Sequence, residues 1–146
     1  MFGFFKKKQP PPNDLTHQVA NSVSSLLSAQ LMMCQSSNKI GDNWTIGYIG
    51  GFIDQVNIRK GIKHDERGIG VMLLVFGSVF GDKNRAAHFN QYESLILSED
   101  AKALEGDKIA RNEAVALLNG SAQRAMGLSS YCLDMLDNYI EMLDQK

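Results

Sequence analysis

GDNWTIGYIGGFIDQVNIRKG, residues 41–61, is the stretch whose reading decides the fold. Trp44, Tyr48, Phe52, Ile53 and Val56 recur at helical intervals, with a turn at Gly41, an N-cap signal at Asp42 and Asn43, and a stop at Gly61. The same helix carries a second face, Gly47, Gly50, Gly51, Asp54 and Asn57, at steps of three and four, which includes Gly47-x-x-x-Gly51. Glycine in a helix interior costs about 1 kcal/mol relative to alanine. Several on one face imply that the missing side chains make room for another backbone, a packing device known from membrane helices. Asp54 and the amphipathic pattern point instead to a soluble helical bundle.

Working outward, nine of the thirteen glycines lie between Gly41 and Gly81. Asp65 is placed to cap a following helix on Ile69, Met72, Leu73, Phe76, Val79 and Phe80, ending at Gly81, with Gly70, Gly77 and Gly81 nearly in one line. The expectation is a hairpin in which the two glycine stripes face one another. Upstream, Asn13 or Asp14 caps a helix on Leu15, Val19, Val23, Leu26, Leu27 and Cys34 that runs to about Ser37. Its other face, Gln18, Asn21, Ser22, Ser25 and Ser28, is polar and uncharged, which suits burial and solvent equally.

Downstream, Asp82 or Asn84 starts a helix through Ala86, Phe89, Tyr92, Leu95 and Ile96, and Ser98 caps the stretch that begins at Glu99. Gly106 and Gly120 punctuate the rest: a helix over Asp107 to Leu118, then a last one through Leu128, Cys132, Met135, Leu136, Tyr139, Ile140 and Leu143. No run alternates apolar and polar residues, and the three prolines are all at 10–12. The pattern predicts an all-α class: one bundle of five or six helices over residues 13–146 with a glycine-rich close-packed helix pair, preceded by a flexible arm, residues 1–12.

A chain of 146 residues, 44% hydrophobic and 21% charged, suits one domain that buries about 70% of its unfolded surface. Fifteen basic and sixteen acidic residues give no global field for nucleic acid, which is disfavoured as a partner. Cys34 and Cys132 read as buried free thiols; a disulfide or redox pair requires that they meet in space. The opening run reverses the order of a secretory signal, and Gly68 to Gly81, fourteen uncharged residues, is too short to span a bilayer. The expected compartment is the cytoplasm. Phe2, Phe4 and Phe5 followed by Lys6, Lys7 and Lys8 also match the physics of an anchor on an anionic lipid surface, so a membrane-peripheral adaptor is an alternative.

Chemistry-bearing motifs are weak. His17, His64 and His88 show no metal-ligand spacing, and no metal, cofactor or catalytic residue is assigned. Ser78 lacks the context of a nucleophile elbow, and Gly47 to Gly51 follows no buried strand that would make it a phosphate loop. Asp54, drawn by the glycines toward a close helix contact, needs a partner. It either pairs structurally, with backbone groups or Arg59, or lines a ligand pocket beside Trp44, Tyr48 and Gln55. Asp134, Asp137, Glu141 and Asp144, at steps of three, four and three, place four carboxylates on one helix face that suits a basic partner. The basic segment with Arg59, Lys60 and Lys63 is a second contact surface, able to meet that stripe in a neighbouring subunit of a homo-oligomer.

Over the eleven residues from Trp44 to Asp54 the chain resembles the small helical immunity proteins that bacteria make against secreted toxins. Those proteins are often exported and cross-linked, whereas neither an export signal nor a matching cysteine pattern is expected here, so the likeness identifies no family. It keeps a toxin-neutralising protein among the possibilities. The sequence is best read as a non-catalytic protein-interaction module; a small-ligand binder or enzyme with its pocket at Asp54 is the competing class.

Overall fold

A computed structural model describes residues 14–144. Within them the chain forms seven α-helices: α1 Leu15–Met32, α2 Asn43–Arg59, α3 Glu66–Phe80, α4 Arg85–Leu97, α5 Ala101–Leu118, α6 Gly127–Cys132 and α7 Leu136–Asp144. A 3₁₀ turn, Asp82–Asn84, precedes α4, and no strand occurs among the described residues. The all-helical class therefore holds, with more helices than the five or six expected. The Phe/Lys arm lies outside the described residues. No helix among them is long and apolar enough to cross a membrane.

Aspartates open four of the helices. Asp14, Asp42, Asp65 and Asp100 accept from the amides of His17, Thr45, Arg67 and Ala103, which satisfies donors that the first helical turn leaves free. For α5 the cap is thus Asp100 and not Ser98. The backbone amide of His17, then its ring, holds the Asp14 carboxyl below its ordinary range. α1 stops at Met32, short of Ser37, and continues as turns through Cys34 and Ser37.

α2 is the central element. Trp44, Ile46, Tyr48, Ile49, Phe52 and Ile53 are all buried, and the glycine face packs along α5. A Cβ on Gly47 would lie 2.1 Å from the Ala103 carbonyl oxygen, and one on Gly51 2.8 Å from the Asp107 Cα. The contact is reciprocal: a Cβ on Gly106 would meet the Trp44 carbonyl oxygen at 2.3 Å. The buried face of α5 is Ala103, Gly106, Ala110, Glu113 and Ala114, small residues apart from one glutamate. This corrects two expectations. The partner of the Gly47/Gly51 face is α5, because α5 offers the small residues that allow close approach. Gly106 does not end a helix; it lies inside α5, where the close packing outweighs its poor propensity.

The other stripe does something different. Gly70 has open space where a Cβ would stand, and Gly77 faces Asp82 and Arg85 across the local turn. α3 instead lies against α1 and α4, with Val71, Met72, Val75 and Phe76 buried. The polar face of α1, including Asn21, Ser22, Ser25 and Ser28, is exposed.

The expected single terminal helix is two. After α6, Asp134 adopts φ 59°, the amide of Asp134 bonds to the Tyr131 carbonyl and that of Met135 to Ser130. This pairing is the Schellman stop, here built on an aspartate where glycine is usual. α4 ends the same way on Glu99, φ 55°, and α2 on Gly61, φ 75°.

Candidate functional site

Asp54 leaves α2 one turn beyond the glycine face, and its partner is Arg111 of α5, Nη2 to Oδ2 2.8 Å, not Arg59. Arg111 also binds Asp107 at 2.8 Å and reaches the Tyr92 hydroxyl at 3.3 Å, while that hydroxyl donates to Asp107 at 2.8 Å. Burial works against the Arg111 charge, but its hydrogen bonds to Asp107 and Asp54 outweigh this and keep the guanidinium cationic. Burial first, and the Asp107 charge second, push the Tyr92 hydroxyl far up, so it serves as a donor. His64 stands at the edge, 52% exposed, with Nε2 3.3 Å from Glu93 and Nδ1 3.9 Å from Asp54. The groove around them encloses about 550 Å³. Asp54 pairs there with Arg111, and Asp54 and Glu93 lie near His64, while Lys63 also lines the groove; no group of three or more metal-binding side chains that could hold an ion occurs among the described residues.

Trp44 and Tyr48 take no part in that groove. Trp44, 1% exposed, stacks on Tyr131 at 4.0 Å and 8° and donates to Glu105 at 2.8 Å. Tyr48, fully buried, donates to Glu113 at 2.5 Å and accepts from Gln30 at 2.9 Å. Gln55 is half-buried and does not line the groove. The expected cluster of Asp54, Trp44, Tyr48 and Gln55 is therefore split: large aromatics at helical spacing went to the core, as their area dictates.

Glu113 stands out in the structure although no sequence motif marks it. It is buried in the apolar face of α5 and accepts from Tyr48 of α2, Tyr139 of α7, and the amides of Met126 at 2.9 Å and Gly127 at 3.0 Å. Gln30 extends the network, receiving the Ser129 amide at 3.0 Å. Burial is the main cause that pushes the Tyr48 and Tyr139 hydroxyls up, with Glu113 adding to it. The arrangement ties α1, α2, α5, α6 and α7 together by hydrogen bonds. One signal was available: a lone glutamate in register with Ala103, Gly106 and Ala110.

The proposed partner surfaces are redistributed. Asp134 lies in the stop after α6 and pairs with Lys39, whose ammonium also donates to the Tyr131 carbonyl at 3.0 Å and covers that ring at 4.6 Å. Asp137, Glu141 and Asp144 remain on α7, all exposed. The four-carboxylate stripe is thus three on a helix and one on a turn. Arg59, Lys60 and Lys63 are exposed, with Lys60 beside an apolar groove between α1, α2 and α5, and Lys63 beside the Asp54 groove. His17 bonds to Asp14, and the His88 ring lies 4.1 Å from that of Phe80, tilted by 33°.

Large apolar side chains stay exposed where α1 ends and α6 gives way to α7. Met33 and Leu133 line one surface groove of about 500 Å³. Met32 and Met135, close to them in the chain, are 70% and 52% exposed. Comparison with protein-family models, with curated proteins and with solved structures finds no match to this chain.

Proposed function

We propose that this protein is a non-catalytic interaction module whose binding end is the groove between the end of α1 and the α6–α7 junction. One observation carries the reading: Met33 and Leu133 share a surface groove with Asp134, and the acidic helix α7 begins beside it. Methionine is flexible and polarizable, which suits surfaces that adapt to a partner. α7 carries Asp137, Glu141 and Asp144 and no basic residue. The groove sets Met33 and Leu133 among Ser36, Ser37, Asn38 and the paired Lys39 and Asp134. It suits a basic amphipathic segment whose apolar face covers Met33 and Leu133 while its lysines meet the exposed carboxylates of α7.

The test uses a synthetic amphipathic helix of about 20 residues, with leucine on one face and lysine on the other, titrated into the full chain. Binding is expected to weaken about tenfold or more in a Met33→Glu, Leu133→Glu double variant, and to lose salt dependence in Asp137→Lys, Glu141→Lys. All four positions are exposed, so the fold is expected to persist. Equal binding by the parent and the Met33/Leu133 variant would sink the proposal. A second reading, a small-ligand site, is favoured by the convergence of Asp54, His64, Tyr92 and Arg111 on one groove. It predicts a small molecule retained on native recovery and lost in Arg111→Met.

A further inference from the structure

Cys34 and Cys132 are 98 positions apart, yet the fold brings them together. Cys34 closes the turn after α1 and Cys132 ends α6. The Cys34 thiol donates to the Gln30 carbonyl at 3.5 Å and lies 4.0 Å from the Leu128 carbonyl, one helical turn before Cys132. Cys132 follows one turn on and lines a groove with Ser37 and Lys39, and each thiol is felt electrostatically by the other. The two differ in access. Cys34 is fully buried, whereas Cys132, 6% exposed, forms part of the wall of the groove with Ser37, Lys39 and Leu133.

We propose that Cys34 and Cys132 are an oxidative modification site, a dithiol that a peroxide converts into a disulfide within one chain. Their surroundings divide the roles. Cys132, which lines the groove beside Ser37 and Lys39, is the attacking thiol, and Cys34, fully buried behind it, is the resolving one. The Cys132 thiolate attacks one peroxide oxygen; the S–O bond forms, the O–O bond breaks, and the departing hydroxide leaves as water with the proton the thiol gave up. The Cys34 sulfur then attacks the sulfenic sulfur; the S–S bond forms, the S–O bond breaks, and hydroxide leaves as water with the Cys34 proton. The cysteines lose two electrons and two protons, and the peroxide gains both. A small-molecule dithiol returns the pair to thiols by exchange.

Burial, the largest cause, pushes the Cys34 thiol up to about 12 and raises Cys132 as well. At neutral pH both are protonated, so the first step is slow and speeds up about tenfold per pH unit below the attacking thiol's own titration. The site responds to sustained oxidant instead of brief pulses.

The experiment treats the full native chain with hydrogen peroxide and maps peptides without reduction. The expected result is one internal link between the peptides holding Cys34 and Cys132, loss of two hydrogens from the intact mass, and reversal by dithiothreitol. Because the link closes a long loop, melting is expected to rise by about 5–15 °C. Cys34→Ala is expected to leave a sulfenic acid at Cys132 that a carbon-nucleophile probe captures. In Cys132→Ala, oxidation of Cys34 is expected to slow about tenfold or more. The parent chain decides the matter even if a variant folds poorly. A link that forms only in denaturant, sulfinic acid without a link, or cross-linking only between chains would overturn the proposal.

Discussion

The seam between α2 and α5 and the junction of α6 with α7 are held by opposite means. Along the seam, Gly47, Gly51 and Gly106 put backbone against backbone, and no side chain can be trimmed to relieve a clash. At the junction, α6 anchors in the core through Leu128, but no residue of α7 is buried, and hydrogen-bonded tips fasten the turn and α7: Tyr139 on Glu113, Tyr131 on Asp42 at 2.5 Å, Lys39 on Asp134. Packing that depends on missing atoms tolerates no addition, whereas packing that depends on hydrogen-bonded tips can open locally without loss of the core. The proposed partner groove and the thiol pair both lie at the end that can adjust.

The largest effect is expected at the seam. Gly47→Leu must displace the Ala103 backbone and is expected to destabilise by about 3 kcal/mol or more, read as a collapse of the thermal transition. An unchanged melting temperature would show that α2 and α5 can separate freely. Next comes Glu113→Ala, which strands the Tyr48 hydroxyl and the amides of Met126 and Gly127. A loss of about 3 kcal/mol in denaturant unfolding is expected, because buried donors without acceptors carry their full desolvation penalty.

Alkali is expected to act through Tyr48. An unfolded tyrosine releases its proton near pH 10, while burial holds the native Tyr48 proton to far higher pH. Above about pH 10 the unfolded state therefore binds fewer protons than the native one. Stability is complete below that pH and falls above it by about 1.4 kcal/mol per pH unit for this residue. Tyr48→Phe is expected to make the alkaline limb of stability against pH less steep, with Tyr92, Tyr131 and Tyr139, also raised by burial, supplying the remaining slope. The opposite comparison is Gly70→Ala: the site has open space, so the change is expected to raise stability by about 0.5–1 kcal/mol. Of similar size is the loss in Tyr139→Phe, about 1 kcal/mol, seen as faster amide exchange in α7 with the α2–α5 seam unaltered. Equal acceleration in both regions would erase the distinction.

The helices themselves were legible because aspartate caps and apolar periodicity are local signals: Asp42 before Trp44 and Asp65 before Ile69 read correctly. What failed was non-local or hid in ordinary residues. Glycine stripes point to one another, but the partner of Gly47 and Gly51 is Ala103 and its neighbours on α5, and alanine in a helix carries no packing signal of its own. Asp134 and Glu99 end helices in a conformation for which only glycine is an obvious sign, so the terminal helix was read through its break. Asp54 called for a partner, and nothing within its own helix could point to Arg111, 57 positions on. Trp44 and Tyr48 shared a helix with Asp54 but faced inward, and only Glu113, a charge among small apolar residues, left a trace that could have been followed.

The α2–α5 seam also sets which positions neutral drift can visit. A core built from interlocking side chains can trade volume between neighbours over generations, each enlargement answered by a reduction opposite. Gly47 and Gly106 have nothing opposite them to shrink, since what they touch is main chain. In descendants of this sequence, those two sites and Gly51 would stay fixed long after the surface and the partner groove had diverged, while Gly70 would be among the first glycines replaced.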